Sequence, residues 1–253
     1  MRYASLRQGL VGAWCPSVSG PYGYSLPDLS GYGNHGTLTN MDPGSDWVVS
    51  DGKGALDFDG SNDYVTNSQM NFPKVGDFIS VSMWINWLST QTDYRLPFGI
   101  GADVSGGNRG YYIWRSNTGY IRSEFGSSTG VALSPTTTSN NVWTHVAAVY
   151  NKVTNKLFLN GKEVCSTNYS SANFTSSSTL QIGAIFSSGI SNTVYYTNCQ
   201  MDDVRIYRRI LTDSEIRLLA SERGIGLAPR PRQYTYYKFR SASRRRKLIT
   251  GMP

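Results

Sequence analysis

The chain has 253 residues, enough for one large domain with a substantial core and a tail. Its 26 glycines and 13% aromatic content suit many short strands joined by turns, and no apolar run reaches the roughly 18 residues that a membrane-spanning helix needs. The net charge of +7 is unevenly held: residues 223–253 carry nine Lys and Arg and no acid, whereas residues 1–222 carry 15 basic and 17 acidic side chains, so a general cationic face on the body is not supported.

The N-terminus, MRYASLRQGLVGAW, lacks the apolar stretch and cleavage site of a secretion signal. Residues 9–14 alternate as a first strand. Residues 15–53, rich in Gly, Pro, Ser, Asn and Asp, read as a long ordered loop that Tyr22, Tyr24, Leu26, Leu29, Leu38 and Trp47 can anchor. Residues 55–66 alternate around a turn at Gly60-Ser61-Asn62. Residues 79–88 form a long strand with Val81, Met83, Ile85 and Trp87 on one face. Shorter strands follow at 95–101, 110–115 and 119–125.

The run from Trp143 to Cys165 reads as a meander. Its first strand is apolar on both faces, with Trp143, His145, Ala147 and Val149 on one and Thr144, Val146, Ala148 and Tyr150 on the other, as expected of a central strand. Asn160-Gly161 supplies a type I′ hairpin turn. Strands at 179–185 and 199–208 complete the set, and a short helix over 213–222 begins with a capping box at Thr212 and Glu215 and stops at Gly224. Regular short strands with turn punctuation predict an all-β fold, a two-sheet antiparallel sandwich with one short C-terminal helix. The domain is expected over 1–222, and an extended basic tail over 223–253.

The run WTHVAAVYNKVTNKLFLNGKEV resembles the central hairpins of laminin-G-like domains, in the concanavalin A-like lectin/glucanase group of jelly rolls. GLVGAW, DLSGYGNHGTL, GALDFDGSNDYV, ISVSMWINW, LQIG and MDDVRIYRRILTDSEI continue that pattern in order, over residues 9–222. Family members often carry a structural calcium where the DxSGxGNxG loop meets the DDVRIY strand. The resemblance therefore implies Asp28, Asn34, Asp202 and Asp203 as calcium ligands, and the alternative is that they cap turns without metal. Asp57, Asp59, Asn62 and Asp63 form a second acidic group, read as a solvated turn. The resemblance places His145 inside the sandwich as a buried, hydrogen-bonded residue.

Glucanases of this fold take their carboxylate pair from an ExDxE-like strand. No such strand occurs here, the four glutamates are scattered, and Asp202 and Asp203 should point to opposite faces of a strand; no enzymatic activity is expected. Cys15, Cys165 and Cys199 are read as buried thiols, with a Cys165–Cys199 disulfide as the alternative. Tyr111, Tyr112, Trp114, Tyr120, Tyr195 and Tyr196 are candidates for stacking on sugar rings or for the core.

The tail departs from a plain lectin. Pro229 and Pro231 favour an extended path, and Arg230, Arg232, Tyr234, Tyr236, Tyr237, Phe239, Arg244, Arg245, Arg246 and Lys247 make a cationic, aromatic arm suited to neighbouring protein subunits more than to nucleic acid. Similarity to accessory modules of phage structural proteins implies a virion protein, a capsid decoration or appendage held by this arm. The alternative is a free, extracellular, calcium-stabilised carbohydrate-binding lectin.

Overall fold

The computed structural model describes residues 3–67, 78–89, 95–100, 109–126, 130–169, 179–186 and 194–227. In chain order the strands are β1 (Leu10–Trp14), β2 (Ser25–Leu26), β3 (Gly36–Thr39), β4 (Trp47–Ser50), β5 (Lys53–Asp59), β6 (Tyr64–Asn67), β7 (Ile79–Trp87), β8 (Arg95–Ile100) and β9 (Arg109–Arg115). They continue with β10 (Tyr120–Gly126), β11 (Val131–Thr137), β12 (Trp143–Tyr150), β13 (Thr154–Leu159), β14 (Lys162–Asn168), β15 (Leu180–Ile182), β16 (Ala184–Phe186), β17 (Val194–Tyr196) and β18 (Asn198–Tyr207). One sheet runs β14-β13-β12-β7-β18-β5-β4, with β1 also paired to β18; the second runs β11-β10-β9-β8-β15-β6-β3-β2. All pairings are antiparallel, so the sandwich expected from the strand spacing is present.

The two sheets share one core. Val81, Met83, Ile85 and Trp87 from β7 meet Phe98, Tyr111, Ile113, Ile121 and Phe125 from the opposite sheet. The alternation in β12 resolves as the sequence suggests: Val146, Ala148 and Tyr150 enter this core, while Ala147 and Val149 face the other way. A second apolar layer covers them there, made of Leu6, Leu10, Leu29, Ile216, Leu219, Ile225 and Leu227. Its helix, α2 (Asp213–Leu219), carries the capping box: Glu215 N–H donates to Thr212 Oγ1, and Thr212 N–H to Glu215 Oε2. Among the described residues no helix is long and apolar enough to cross a membrane.

Four expectations need correction. The stretch 15–53 is not only loop, since it holds a one-turn helix, α1 (Pro16–Ser19), and β2 to β4. Tyr22 and Tyr24 do not anchor it; they are 60% and 66% exposed, and Leu26, Leu29 and Leu38 do that work. Strand β11 escaped notice because Pro135 interrupts its pattern, which an edge position tolerates. The three cysteines are free thiols as first read, Cys15 and Cys199 buried and Cys165 half-buried. The packed body also continues past residue 222, because Arg223, Ile225 and Leu227 are all more than nine-tenths buried.

The β13–β14 turn shows why glycine stands at 161. Asn160 and Gly161 have φ of 48° and 78°, and a Cβ on Gly161 would lie 3.1 Å from Arg217 Cα on α2. Gly52 has a similar φ of 71° but open space around it. Gly161→Ala should therefore lower stability by about 2–3 kcal/mol and Gly52→Ala by only about 1 kcal/mol. Urea unfolding of the two variants measures the difference, and equal losses would show that α2 does not press on the turn.

Candidate functional site

The four implied calcium ligands fall into two separate polar clusters. Asp28 accepts hydrogen bonds at Oδ1 from the N–H groups of Ala13 and Ser30, both 2.9 Å, and at Oδ2 from Ser30 Oγ at 2.7 Å and Asn34 N–H at 2.9 Å. The Asn34 side chain donates to Val11 O, and its carbonyl accepts from Trp14 Nε1. His35 supports the same loop by accepting from Asp28 N–H at Nδ1. These donors fill the directions from which a cation would approach the Asp28 carboxylate, so the loop is built as a hydrogen-bonded cap on β1.

Asp202 and Asp203 sit in β18, where a bulge breaks the register against β7. Asp203 takes φ of 53°, so the two side chains do not alternate across the sheet as an unbroken strand would require. They meet in one buried cluster instead. Asp203 holds Arg205 in a two-pronged pair at 2.6 and 2.9 Å and accepts from Gly224 N–H at 2.8 Å. Burial alone would pull the Arg205 pKa down, but Asp203 overcomes it and keeps the guanidinium charged. Asp202 Oδ1 accepts from Ser17 N–H, Asp203 N–H and the Cys15 thiol, while its Oδ2 lies 3.8 Å from Arg223 Nη1. Burial and the charge of Asp203 push Asp202 up to about 6. Among the described residues no three His, Cys, Asp or Glu side chains are placed to hold a metal. The donors on Asp28 and the guanidinium on Asp203 do not fit calcium.

The second acidic group is an Asx turn. Asp59 Oδ1 accepts from Ser61 and Asn62 N–H, and Asp63 Oδ2 from Asp59 N–H. Burial, followed by the charges of Asp59, Asp46 and Asp57, lifts Asp63 to about 6 despite the lowering contribution of the Asp59 N–H. His145 is buried and bonded to Ser82 Oγ at 2.9 Å, with Trp84 edge-on at 5.5 Å. It is buried and hydrogen-bonded as expected, but outside the sandwich core: it shares the face of Ala147 and Val149, beneath the layer that includes α2. Burial drops its pKa to about 3, so it is neutral at physiological pH.

The aromatic candidates divide cleanly. Tyr111 is core, stacked on Phe125 at 4.0 Å. Tyr112 is buried with Leu96 and Ile185 under the β16–β17 hairpin, on the outer face of the second sheet. Trp114 and Tyr195 pack at the margin of that cluster, 6.4 Å apart. Tyr196 meets Tyr64 at 6.5 Å.

Beside the hairpin, among the described residues, the sheet is open. A cavity of about 250 Å³ there is lined by Trp114 of β9, Tyr120 and Arg122 of β10, Val131 and Leu133 of β11, and the β9–β10 turn Ser116, Asn117 and Thr118. Register explains the set: Arg122 stands opposite Trp114 on one side and Leu133 on the other. The guanidinium lies 5.3 Å over the Trp114 ring and donates from Nη2 to Glu124 Oε2 at 2.9 Å. Glu124 is fully buried. Trp114 and Tyr120 were identifiable as candidates from sequence, whereas Arg122, Glu124 and Leu133 were not. Alternation in 119–125 would have grouped Tyr120, Arg122 and Glu124 on one face, but only a found β11 closes the groove. The arm residues Arg230, Arg232, Tyr234, Tyr236, Tyr237, Phe239, Arg244, Arg245, Arg246 and Lys247 lie outside the described residues.

The Laminin_G_3 family, described as the concanavalin A-like lectin/glucanases superfamily, matches residues 59–217. Curated proteins give no significant match. A mutant of Trypanosoma rangeli sialidase displaying trans-sialidase activity is similar in structure, with a TM-score of 0.64 at 15% identity over 84% of this chain and 32% of that one. The same sialidase in complex with sialic acid gives a TM-score of 0.63 at 16% identity, again over 84% and 32%. The receptor binding domain of botulinum neurotoxin C/D mosaic serotype gives 0.57 at 16% identity, over 84% and 51%. This chain therefore spans only about a third to a half of these structures. They overturn the expectation that enzymatic activity is excluded: about a third of a sialidase's chain shares this fold, and a missing ExDxE strand does not rule out activity.

The two shifted groups make opposite contributions to stability. Asp202, raised above its unfolded value of about 4, favours the folded state at low pH and loses that contribution as pH rises through about 6. His145, lowered from about 6.5, favours folding at high pH and loses it on acidification towards pH 3. Asp202→Asn should thus gain on the natural protein between pH 4 and 8, by up to about 3 kcal/mol. Urea unfolding across that range tests it, and parallel stability curves would show that Asp202 ionises normally.

Proposed function

Because the chain belongs to the Laminin_G_3 family of the concanavalin A-like lectin/glucanase superfamily, we propose that it binds carbohydrate in the groove beside the β16–β17 hairpin. The observation that carries this reading is the lining itself. Trp114, Tyr120, Val131 and Leu133 offer apolar surface, and Ser116, Asn117, Thr118 and Arg122 offer hydroxyl, amide and guanidinium groups at its rim. A pyranose ring needs that combination, apolar C–H faces against aromatic or aliphatic walls and hydroxyls against short polar side chains. At about 250 Å³ the groove is smaller than the roughly 300–1,000 Å³ typical of drug-sized sites, which suits one or two sugar units. The similar solved structures support a binding role at the level of fold.

Trp114→Ala and Tyr120→Ala should each weaken binding of a glycan selected on an array by about tenfold or more, roughly 1.4 kcal/mol, and Trp114→Ala should also lower the unfolding midpoint because Trp114 packs on the Leu96–Tyr112 cluster. Calorimetric titration reads this directly. Full affinity in both variants would move the site elsewhere.

A second reading concerns attachment. Residues 228–253 hold eight Lys and Arg and no acid, with Tyr and Phe alternating, a composition suited to docking on other subunits. On this reading the domain is carried on a larger assembly, a virion being the case the sequence resemblance suggested, with the groove presented outward. Sedimentation of the whole chain and of a chain ending at Leu227 separates the possibilities. Association that disappears on truncation supports docking, and identical monomers would remove it.

A further inference from the structure

The rim of the groove is the turn from Ser116 to Gly119, and its polar groups are committed to one another. Gly119 N–H donates to Ser116 O at 3.0 Å, and Ser116 N–H to Tyr120 O at 2.9 Å. Ser116 Oγ accepts from Tyr120 N–H at 3.0 Å and lies 2.9 Å from Thr118 Oγ1. Gly119 takes φ of 95°, where a Cβ would come within 3.2 Å of Thr138 O. Asn117 is the exception. It is exposed at the corner of the turn and lines the groove, and among the described residues its side-chain amide is bonded to nothing.

The turn is held from beneath by Arg115. This side chain is only 5% exposed, and its guanidinium lies 4.9 Å over the Trp87 ring. Nε donates to Thr138 Oγ1 at 3.1 Å, and Nη2 to Thr138 O at 2.9 Å and Asn140 Oδ1 at 2.8 Å. Thr138 passes the link on, giving its N–H and its hydroxyl to Gly119 O at 2.9 and 3.1 Å. An apolar side chain could cover Trp87 as well, but only the rigid fork of an arginine reaches all three acceptors together. The corner that carries Asn117 is therefore fixed before any ligand arrives, which removes an ordering cost from binding.

We propose that Arg115 is a positioning residue that pre-forms this rim, and that Asn117 is the side chain that reads a pair of neighbouring hydroxyls on the bound sugar. The proposal rests on the carbohydrate reading above and deepens it, by naming the class of glycan: one that offers the groove a ring with two adjacent free hydroxyls. A primary amide sets a donor beside an acceptor, so one hydroxyl accepts from Nδ2 while its neighbour donates to Oδ1. Trp114 and Tyr120 grip the faces of many pyranoses alike, and sorting among them falls to the amide.

A glycan array probed with the whole chain selects an oligosaccharide, and calorimetric titration compares it with its monodeoxy analogues. The natural protein should bind two analogues, altered at neighbouring positions, about tenfold more weakly than the parent. Asn117→Ala should keep the natural unfolding midpoint, bind the parent about tenfold more weakly, and no longer distinguish it from those two analogues. Arg115→Lys should also weaken the parent about tenfold, and the double variant should stay within about twofold of Asn117→Ala alone, because Arg115 acts through the amide. Should Arg115→Lys fail to fold, Thr138→Val cuts the same link at a half-buried position and replaces it in the cycle. Additive losses in the double variant, or an Asn117→Ala protein that still tells the analogues apart, would overturn the proposal. The carbohydrate reading would then stand on the loss in Trp114→Ala. Binding to no glycan on the array would remove both.

Discussion

A fully buried arginine governs one whole side of this molecule. Arg205 has no solvent exposure, and it is held by both oxygens of Asp203 and donates onward to the carbonyl of Ile225. A guanidinium in that setting is tolerable only with its carboxylate present, and removing either partner of such a pair typically costs about 3–5 kcal/mol. The pair sits at the bulge in β18, where Asp203 has a left-handed backbone. Through Ile225 O and Gly224 N–H the same cluster fastens the C-terminal segment over the sheet. Arg223 extends the attachment, stacking 4.0 Å over Trp143 and donating to Ser50 O. The outer layer on this sheet is thus as much an electrostatic construction as an apolar one.

The two faces of the sandwich differ accordingly. The first sheet is closed by Leu6, α2 and residues 225–227. Among the described residues the second is covered only in part, where the short β16–β17 hairpin lies over Leu96 and Tyr112. The groove exists because that cover stops at Trp114 and Tyr195. Its charged pair is half-open, where the Arg205 pair is sealed, and that difference separates a group that holds the fold from one that can meet a ligand.

Much of the fold could be read from the chain because it rests on local rules. Alternation placed β7 and β12, Asn160-Gly161 placed their neighbouring hairpin, and Thr212 with Glu215 placed the start of α2. The failures have physical causes too. Asp202 and Asp203 were expected on opposite faces because a strict period of two was assumed, and a bulge is a tertiary feature that the period does not reveal. Pro135 hid β11, and with it one wall of the groove. The placing of Arg122 between Trp114 and Leu133 depends on pairing three strands in register, information held between segments and not within any of them. The DxSGxGNxG loop was legible as a motif, yet its role followed from hydrogens aimed at Asp28, which sequence spacing cannot display.

The ends of the packed body come together. Arg7 donates to Gly226 O and to Leu29 O, and Leu6 and Leu227 belong to the same apolar layer on the first sheet. The groove opens from the other sheet. A tether drawing on Arg7 or on Leu227 would therefore pull on the back of the sandwich. Many copies mounted on one surface would all present the same side to whatever approaches, so weak single contacts could sum into avidity without any rearrangement of the domain.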